Sequence, residues 1–310
     1  MVRRGKGIKL KPNTVIVTIN CCSTFLAVGV QDALFTSCAP VLRLKADIAL
    51  GTNLSAALCL FEHCKTDKMD LEGLLNYRRA VKIYDPARPL DTEKVKRCLE
   101  LATLAPSSSN MQLWEFYHIT DKKVQAAMKV ACMNQASVGT ASDIVVFVTR
   151  QDLYKMRSKA VLDFEIGNIA RNSPETRQKE RLKDRKLYYG RLMPLLYSRF
   201  LGLIGLIRKG IVYGVGLFRP VVYEVSEADI RVVVHKSCAL AAQTFMIAMA
   251  NEGYDTCPLE GFDSKRIKKI LGLPNGSGIN MIIPCGIRAE EMSIWGERFR
   301  VPFEQVYHRV

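Results

Sequence analysis

No two cysteines in this 310-residue chain stand in a CxxC spacing, and that absence removes two classes of protein. Five of the ten cysteines lie in residues 1–68 (Cys21, Cys22, Cys38, Cys59, Cys64), and five are scattered beyond (Cys98, Cys132, Cys238, Cys257, Cys285). A secreted disulfide scaffold is short, with evenly spaced cysteines. His63 with Cys64, and His235 with Cys238, lack the second pair that a zinc site needs, so no metal is expected. Reduced thiols in a cytoplasmic protein are the expected state. Long apolar runs are also missing. The run over 15–30 is broken by Asn20, Ser23 and Thr24, and the pieces FLGLIGLI and IVYGVGLF are short, whereas a spanning helix takes about twenty apolar residues. Acidic residues are scarce: 30 against 45 Lys and Arg, a net charge of +15. The excess is not spread evenly, since residues 1–68 carry +5, residues 171–222 carry +9, and all the rest only +1. A nucleic-acid binder would put its basic face on the folded core, so no nucleic-acid partner is expected.

The stretch from Arg78 to Trp114 carries the chemistry: RRAVKIYDPARPLDTEKVKRCLELATLAPSSSNMQLW. Arginine forks and a lysine suit a phosphate and an electron-rich ring edge. A Ser/Asn loop offers short hydrogen-bonding groups with little side-chain entropy to lose. Around this stretch the pattern is that of alternating helices and strands. Leu71, Leu74 and Leu75 have helical spacing ahead of the arginines. The DPARP segment at 85–89 is a turn, and Asp91 and Thr92 cap a helix over 93–104. Residues 114–120 alternate as a strand, Asp121 caps a helix reaching Met133, and IVVFVT at 144–149 reads as a buried central strand. Residues 152–189 read as helix, with a solvated basic face from Arg177. Residues 235–251 form an apolar helix closed by Gly253, residues 263–271 a short amphipathic helix, and INMIIPCG at 279–286 the last core strand.

Two segments stand apart. Residues 1–68 have a basic start and then a short apolar run, as a signal peptide does. They read better as an extension outside the folded domain, either upstream of a natural start at Met69 or without a fixed fold. Residues 190–222 hold two apolar pieces on either side of Arg208, Lys209 and Gly210, which predicts a helical hairpin turning at those residues. Such a hairpin would serve as a substrate lid, as packing in a dimer, or as a peripheral membrane contact.

RRAVKIY and APSSSNMQLW resemble the RRSxRxF-like start and APSSxNxQPW-like loop of the FMN-dependent nitroreductases. CPLEGF at 257–262 is similar to that family's P-[IL]-[EG]-G loop, and Arg298-Phe-Arg300 followed by Val-Pro302 to its C-terminal basic element. The resemblance covers residues 69–170 and 223–310, with Ala80 in place of a serine and Leu113 in place of a proline, a change expected to loosen the loop. It implies an α+β, three-layer α/β/α fold around a mixed, mostly antiparallel sheet, in a homodimer over residues 69–310 with 190–222 as an insertion. It implies FMN held by Arg78, Arg79 and Lys82, by Pro258, Leu259, Glu260 and Gly261, and by Arg298 and Arg300. Pro106, Ser107, Ser108 and Asn110 would come from the other subunit. Asn134 would meet the flavin ring edge, although a helix C-cap accounts equally for an asparagine there. The implied activity is ping-pong hydride transfer from NAD(P)H through FMN to a small electron-poor acceptor, a nitroaromatic or quinone. Two alternatives stay open. One is a flavin-dependent dehalogenase or flavin-fragmenting enzyme on the same scaffold. The other is a membrane-surface or partner-binding protein with a structural flavin.

Overall fold

The computed structural model describes residues 69–310 and three short strands in the chain before them. The chain divides into two units, Met1–Asp67 and Lys68–Val310. In the first, β1 (Val15–Val17), β2 (Leu26–Val28) and β3 (Ala33–Phe35) pair antiparallel in chain order. Every other expectation for residues 1–68 lies outside the described residues.

In the second unit, aspartates start the helices. The Asp70 carboxylate accepts the Gly73 N–H at 2.7 Å and opens α1 (Leu71–Tyr77). Asp91 opens α2 (Thr92–Ala102) and Asp121 opens α3 (Lys122–Ala131) in the same way, each satisfying N–H groups that a helix leaves unpaired. The central sheet has the order β4 (Trp114–Ile119), β5 (Asp143–Thr149), β7 (Gly278–Gly286), β6 (Asp255–Thr256). Neighbouring strands are antiparallel, and an isolated parallel bridge joins Ala80 to Thr256.

Every residue of β5 is buried, which is why that strand reads as an unbroken apolar run. Its side chains alternate between two cores. Ile144, Val146 and Val148 pack with Met128 of α3 and with Ile267 of a short helix at Ser264–Ile270. Val145 and Phe147 pack with Val95 and Cys98 of α2 and with Ala241, Phe245 and Met249 of the long helix Glu227–Asn251. One strand buried from both sides by helices makes the three-layer α/β/α architecture. The long helix begins eight residues before the expected start at His235. A reciprocal cap sets the earlier start: Asp229 N–H donates to Ser226 Oγ at 3.1 Å, and Ser226 N–H to Asp229 Oδ2 at 3.0 Å.

The segment 190–222 differs from expectation. Helices α4 (Tyr154–Asn172) and α5 (Glu175–Leu187) precede it, and a further helical turn runs over Met193–Tyr197. The chain then reverses near Gly202, whose φ is 83°, and α6 (Leu203–Gly216) passes straight through Arg208, Lys209 and Gly210. Arg208 is not a turn residue because its charge has work inside. It is only 6% exposed, and its guanidinium donates to the carbonyls of Leu195, Leu196 and Ser198 at the open end of the preceding turn.

The described cysteines Cys98, Cys132, Cys238, Cys257 and Cys285 are all buried and free. Burial pushes the Cys132 thiol up to about 11 and the Cys98 and Cys238 thiols up to about 12. These three stay protonated at pH 8, and the thiolate is the reactive form. Iodoacetamide at that pH, followed by peptide mapping, should leave them unmodified in the folded protein and label them in urea. Rapid labelling of the native protein at any of the three would contradict their burial.

Candidate cofactor site

Residues 78–85 form an extended strip clamped between two distant segments. Val81 N–H donates to Thr256 O at 3.3 Å, Lys82 N–H to Ser293 O at 2.8 Å, and Asp85 N–H to Ile287 O at 2.8 Å. The strip starts at a fixed angle because Arg288 holds the end of α1. Its guanidinium lies 4.5 Å from the Tyr77 ring and donates to the Tyr77 carbonyl at 3.1 Å, while buried Asp255 accepts its Nε at 2.9 Å. Sequence reading missed both Arg288 and Asp255, since a lone arginine and a lone aspartate 33 residues apart give no local signal.

This clamp gathers Arg78, Arg79, Lys82, Arg298 and Arg300 into one region. Among the described residues none of the five has a carboxylate within ion-pair distance. Burial, and next the charges of Arg298 and Arg300, hold the Arg78 guanidinium below its ordinary value. Their employment differs. Arg298 donates to the carbonyls of Leu75 at 2.9 Å, Asn76 at 3.0 Å and Arg78 at 2.5 Å, so it caps α1 with most of its fork. Arg79 donates to Gly296 O at 2.9 Å, and Lys82 Nζ lies 3.5 Å from Cys257 Sγ. Among the described residues Arg300 bonds only the neighbouring Phe299 carbonyl, at 2.7 Å.

The turn after β6 lies beside this cluster. Leu259 is spent on structure: its side chain is in the core, and its N–H and C=O both pair with Ile282, at 2.8 and 3.0 Å. Pro258 is half-buried, and Glu260 and Gly261 are exposed. A Cβ added at Gly261 would meet only Gln135 Nε2, at 3.8 Å, so nothing in the chain itself demands glycine there. Asn134 ends α3 with φ 56°, its N–H bonded to Lys129 O at 2.9 Å, and is thus a left-handed helix cap with an exposed side chain. The next residue, Gln135, donates to Gly261 O at 2.9 Å and ties that cap to the turn.

The Pro106–Asn110 loop is built elsewhere. Ser107 Oγ accepts the Gln112 N–H at 3.2 Å, Ser108 N–H donates to Ser237 Oγ at 3.2 Å, and Tyr189 Oη donates to Ser109 O at 3.2 Å. Ser109, Asn110 and Gln112 take φ of 51°, 52° and 47°, a region that Asn tolerates better than bulky residues. Leu113 does not loosen this loop as expected. It is 4% exposed and packs with Met111, Tyr189, Met193 and Tyr197, so apolar burial holds the loop where a proline was expected. Pro106, Ser108 and Asn110 remain exposed. Asn110 and Gln112 line a cavity of about 300 Å³ with Arg157, whose buried Nε has no hydrogen-bond partner among the described residues. Arg157 lies within 152–189, read only as helix, and nothing local in the sequence sets it apart.

Within one chain the loop does not meet the cations. It leads into β4, whereas the Cys257–Gly261 turn leaves β6, and these strands are the two edges of the sheet. Three strand spacings, about 14 Å, separate them.

Fold and site together define an α/β/α domain with a cationic cradle at one sheet edge that has no ion-paired carboxylate among the described residues. The profile of the nitroreductase family matches residues 75–287, and the chain belongs to that family. Protein DrgA of Synechocystis is 25% identical over 223 residues, spanning 72% of this chain and 86% of that protein. A nitroreductase family protein from Streptococcus pneumoniae superposes with a TM-score of 0.56 at 20% identity, over 78% of this chain and all of its own. A nitroreductase structure from Exiguobacterium sibiricum, solved in complex with FMN, has a TM-score of 0.54 at 20% identity, over 78% of this chain and 98% of its own.

Proposed function

We propose that this protein is an FMN-dependent reductase that takes hydride from NAD(P)H and delivers it to a small electron-poor acceptor of the nitroaromatic or quinone class. The observation that carries this is the cluster of Arg78, Arg79, Lys82, Arg298 and Arg300 with no ion-paired carboxylate among the described residues. Such a cluster has a large electrostatic deficit that a phosphate monoester corrects. The exposed backbone at Gly261, where the nearest atom to an added Cβ is Gln135 Nε2 at 3.8 Å, fits the same group, since a flat ring can approach backbone there.

FMN, when bound, supplies two-electron transfer between donor and acceptor in ping-pong order. Arg78 and Arg300 have guanidinium groups free to bind its phosphate. Arg298 acts mainly as a positioning residue, because its donors hold the end of α1 from which Arg78 projects. Lys82, anchored beside Cys257, lies next to the Pro258–Gly261 turn and would hold a cation against the edge of a ring bound there. Asn134 is held near Gly261 through Gln135 and offers an amide to the ring edge. The Pro106–Asn110 loop reaches a flavin only from a second subunit, since its own chain puts it at the far sheet edge. The working unit is therefore a homodimer with two shared sites. The purified protein should show a bound-flavin absorption spectrum that bleaches within seconds when NADPH or NADH is added anaerobically. A flavin spectrum that neither nucleotide bleaches would remove the donor assignment. Absence of flavin after added FMN would remove the cofactor.

A further inference from the structure

Helix α6 wears its apolar stripe on the outside. Leu203, Leu206, Ile207, Gly210, Ile211, Gly214, Leu217 and Phe218 follow helical spacing, and all are exposed. Phe218 is 88% exposed, Leu217 81% and Leu206 69%, and Leu201 just ahead of the helix reaches 94%. The opposite face holds Gly205 and the buried Arg208. An ordinary surface helix is arranged the other way round.

This orientation is enforced. A Cβ at Gly205 would stand 2.6 Å from the Glu227 backbone nitrogen, so the glycine allows α6 to lie directly on the start of the long helix. Arg208 is held by the carbonyls of Leu195, Leu196 and Ser198. Phe200 N–H donates to Glu227 Oε1 at 2.9 Å, and that bond is the first of the contacts that lower the Glu227 pKa. The stripe is thus presented by a helix locked into the unit.

The charges carried by the segment itself have one sign, although Glu224, Glu227 and Asp229 follow it directly. Residues 185–223 contain no Asp or Glu and seven Lys or Arg. Lys209 is paired with Asp229 at 3.8 Å and Arg208 faces inward, but Arg199 and Arg219, at either end of the stripe, are exposed and have no carboxylate partner among the described residues. Tyr213 and Tyr223, ring centroids 5.4 Å apart, add amphipathic rings on the same segment. From Leu203 to Gly216 the helix is about 21 Å long, short of the roughly 30 Å of a bilayer core, so it suits lying in a membrane surface and not crossing it.

We propose that α6 and its flanks, residues 199–223, form a docking surface for an anionic lipid membrane, with the apolar stripe entering the headgroup boundary and Arg199 and Arg219 on the anionic headgroups. A second copy of the chain is the poorer occupant. Two stripes laid antiparallel would bring Arg199 of one against Arg219 of the other, with no acid in either segment to separate them. This inference is independent of the flavin assignment.

Sedimentation of the full chain with vesicles tests it. The protein should partition onto phosphatidylcholine vesicles containing a quarter phosphatidylglycerol, not onto pure phosphatidylcholine, and the binding should weaken as salt rises. Leu206→Gln with Phe218→Gln should lower the partition coefficient at least about tenfold. Arg199→Gln with Arg219→Gln should lower it about fivefold per cation. The Leu206→Gln, Phe218→Gln variant should keep the parent's unfolding temperature, since neither side chain is buried, while Arg199→Gln removes an exposed hydrogen bond to Gly276 O at 3.0 Å and should lower that temperature only slightly. Binding that neither pair of substitutions changes, or no binding at all, would overturn the proposal. So would a Leu206→Gln, Phe218→Gln protein whose mass by light scattering falls below the parent's in the absence of lipid, because the stripe would then be a contact between copies.

Discussion

Arg78→Ala should raise the FMN dissociation constant by about tenfold to a hundredfold, the scale of a lost charge-assisted hydrogen bond of roughly 1.5–3 kcal/mol. It should do so without lowering the thermal stability of the flavin-free protein. The guanidinium is half-buried beside Arg298 and Arg300, and both of those charges depress its pKa. In the absence of an anion its removal relieves repulsion. Arg298→Ala should behave differently, because three carbonyls at the end of α1 lose their donor. Flavin affinity and unfolding temperature should fall together there. Titration of stripped protein with FMN, beside calorimetry of the flavin-free forms, separates the two. An Arg78→Ala protein that binds FMN as tightly as its parent would sink the assignment of Arg78 to the phosphate.

Asp255→Ala should cost about 3–5 kcal/mol of folding stability, the penalty of leaving a substantially buried partner charge unpaired. The Asp255 side chain is 1% exposed, and it accepts the Arg288 backbone N–H at 2.8 Å as well as its guanidinium. Arg288 in turn holds the Tyr77 carbonyl and ring. That one pair therefore joins the last strand, the short edge strand and the end of α1. Asp255→Asn keeps the size and an acceptor oxygen, so it should cost less. Urea unfolding of both variants measures the difference. A loss under about 1 kcal/mol for the alanine variant would mean that the ion pair contributes no more than a surface one.

The local features of this fold were legible because each is short-range. A carboxylate one residue ahead of a helix satisfies that helix's own N–H groups, and Asp91 and Asp121, read as caps from the sequence, do so; Asp70 and Asp263 do the same and were not read as caps. A short run of β-branched and aromatic residues such as 144–148 fits a strand covered on both faces better than a helix. The cap at Ser226 and Asp229 was equally local, yet it went unread because the apolar pattern becomes clear only from His235. The turn expected at Arg208 failed for a different reason. Sequence reading takes a basic pair with glycine as solvated, and it cannot register carbonyls 10 to 13 residues away that compete for the guanidinium.

The same division runs through the candidate site. The kinds of residue it contains were set by the chain alone: arginines and a lysine ahead of a turn, a small polar loop, a Glu-Gly turn and a basic C-terminal segment. What each one does was decided by packing. Arg298 caps a helix some 220 residues earlier in the chain, while Arg300, two positions on, stays nearly free. Leu259 is spent on the sheet, and the Ser/Asn loop lies at the edge opposite the cations. Propensity and patterning act over a few residues and so are written in the sequence. The partner of a long, flexible charged side chain depends on which distant backbone arrives beside it, and only the folded chain settles that.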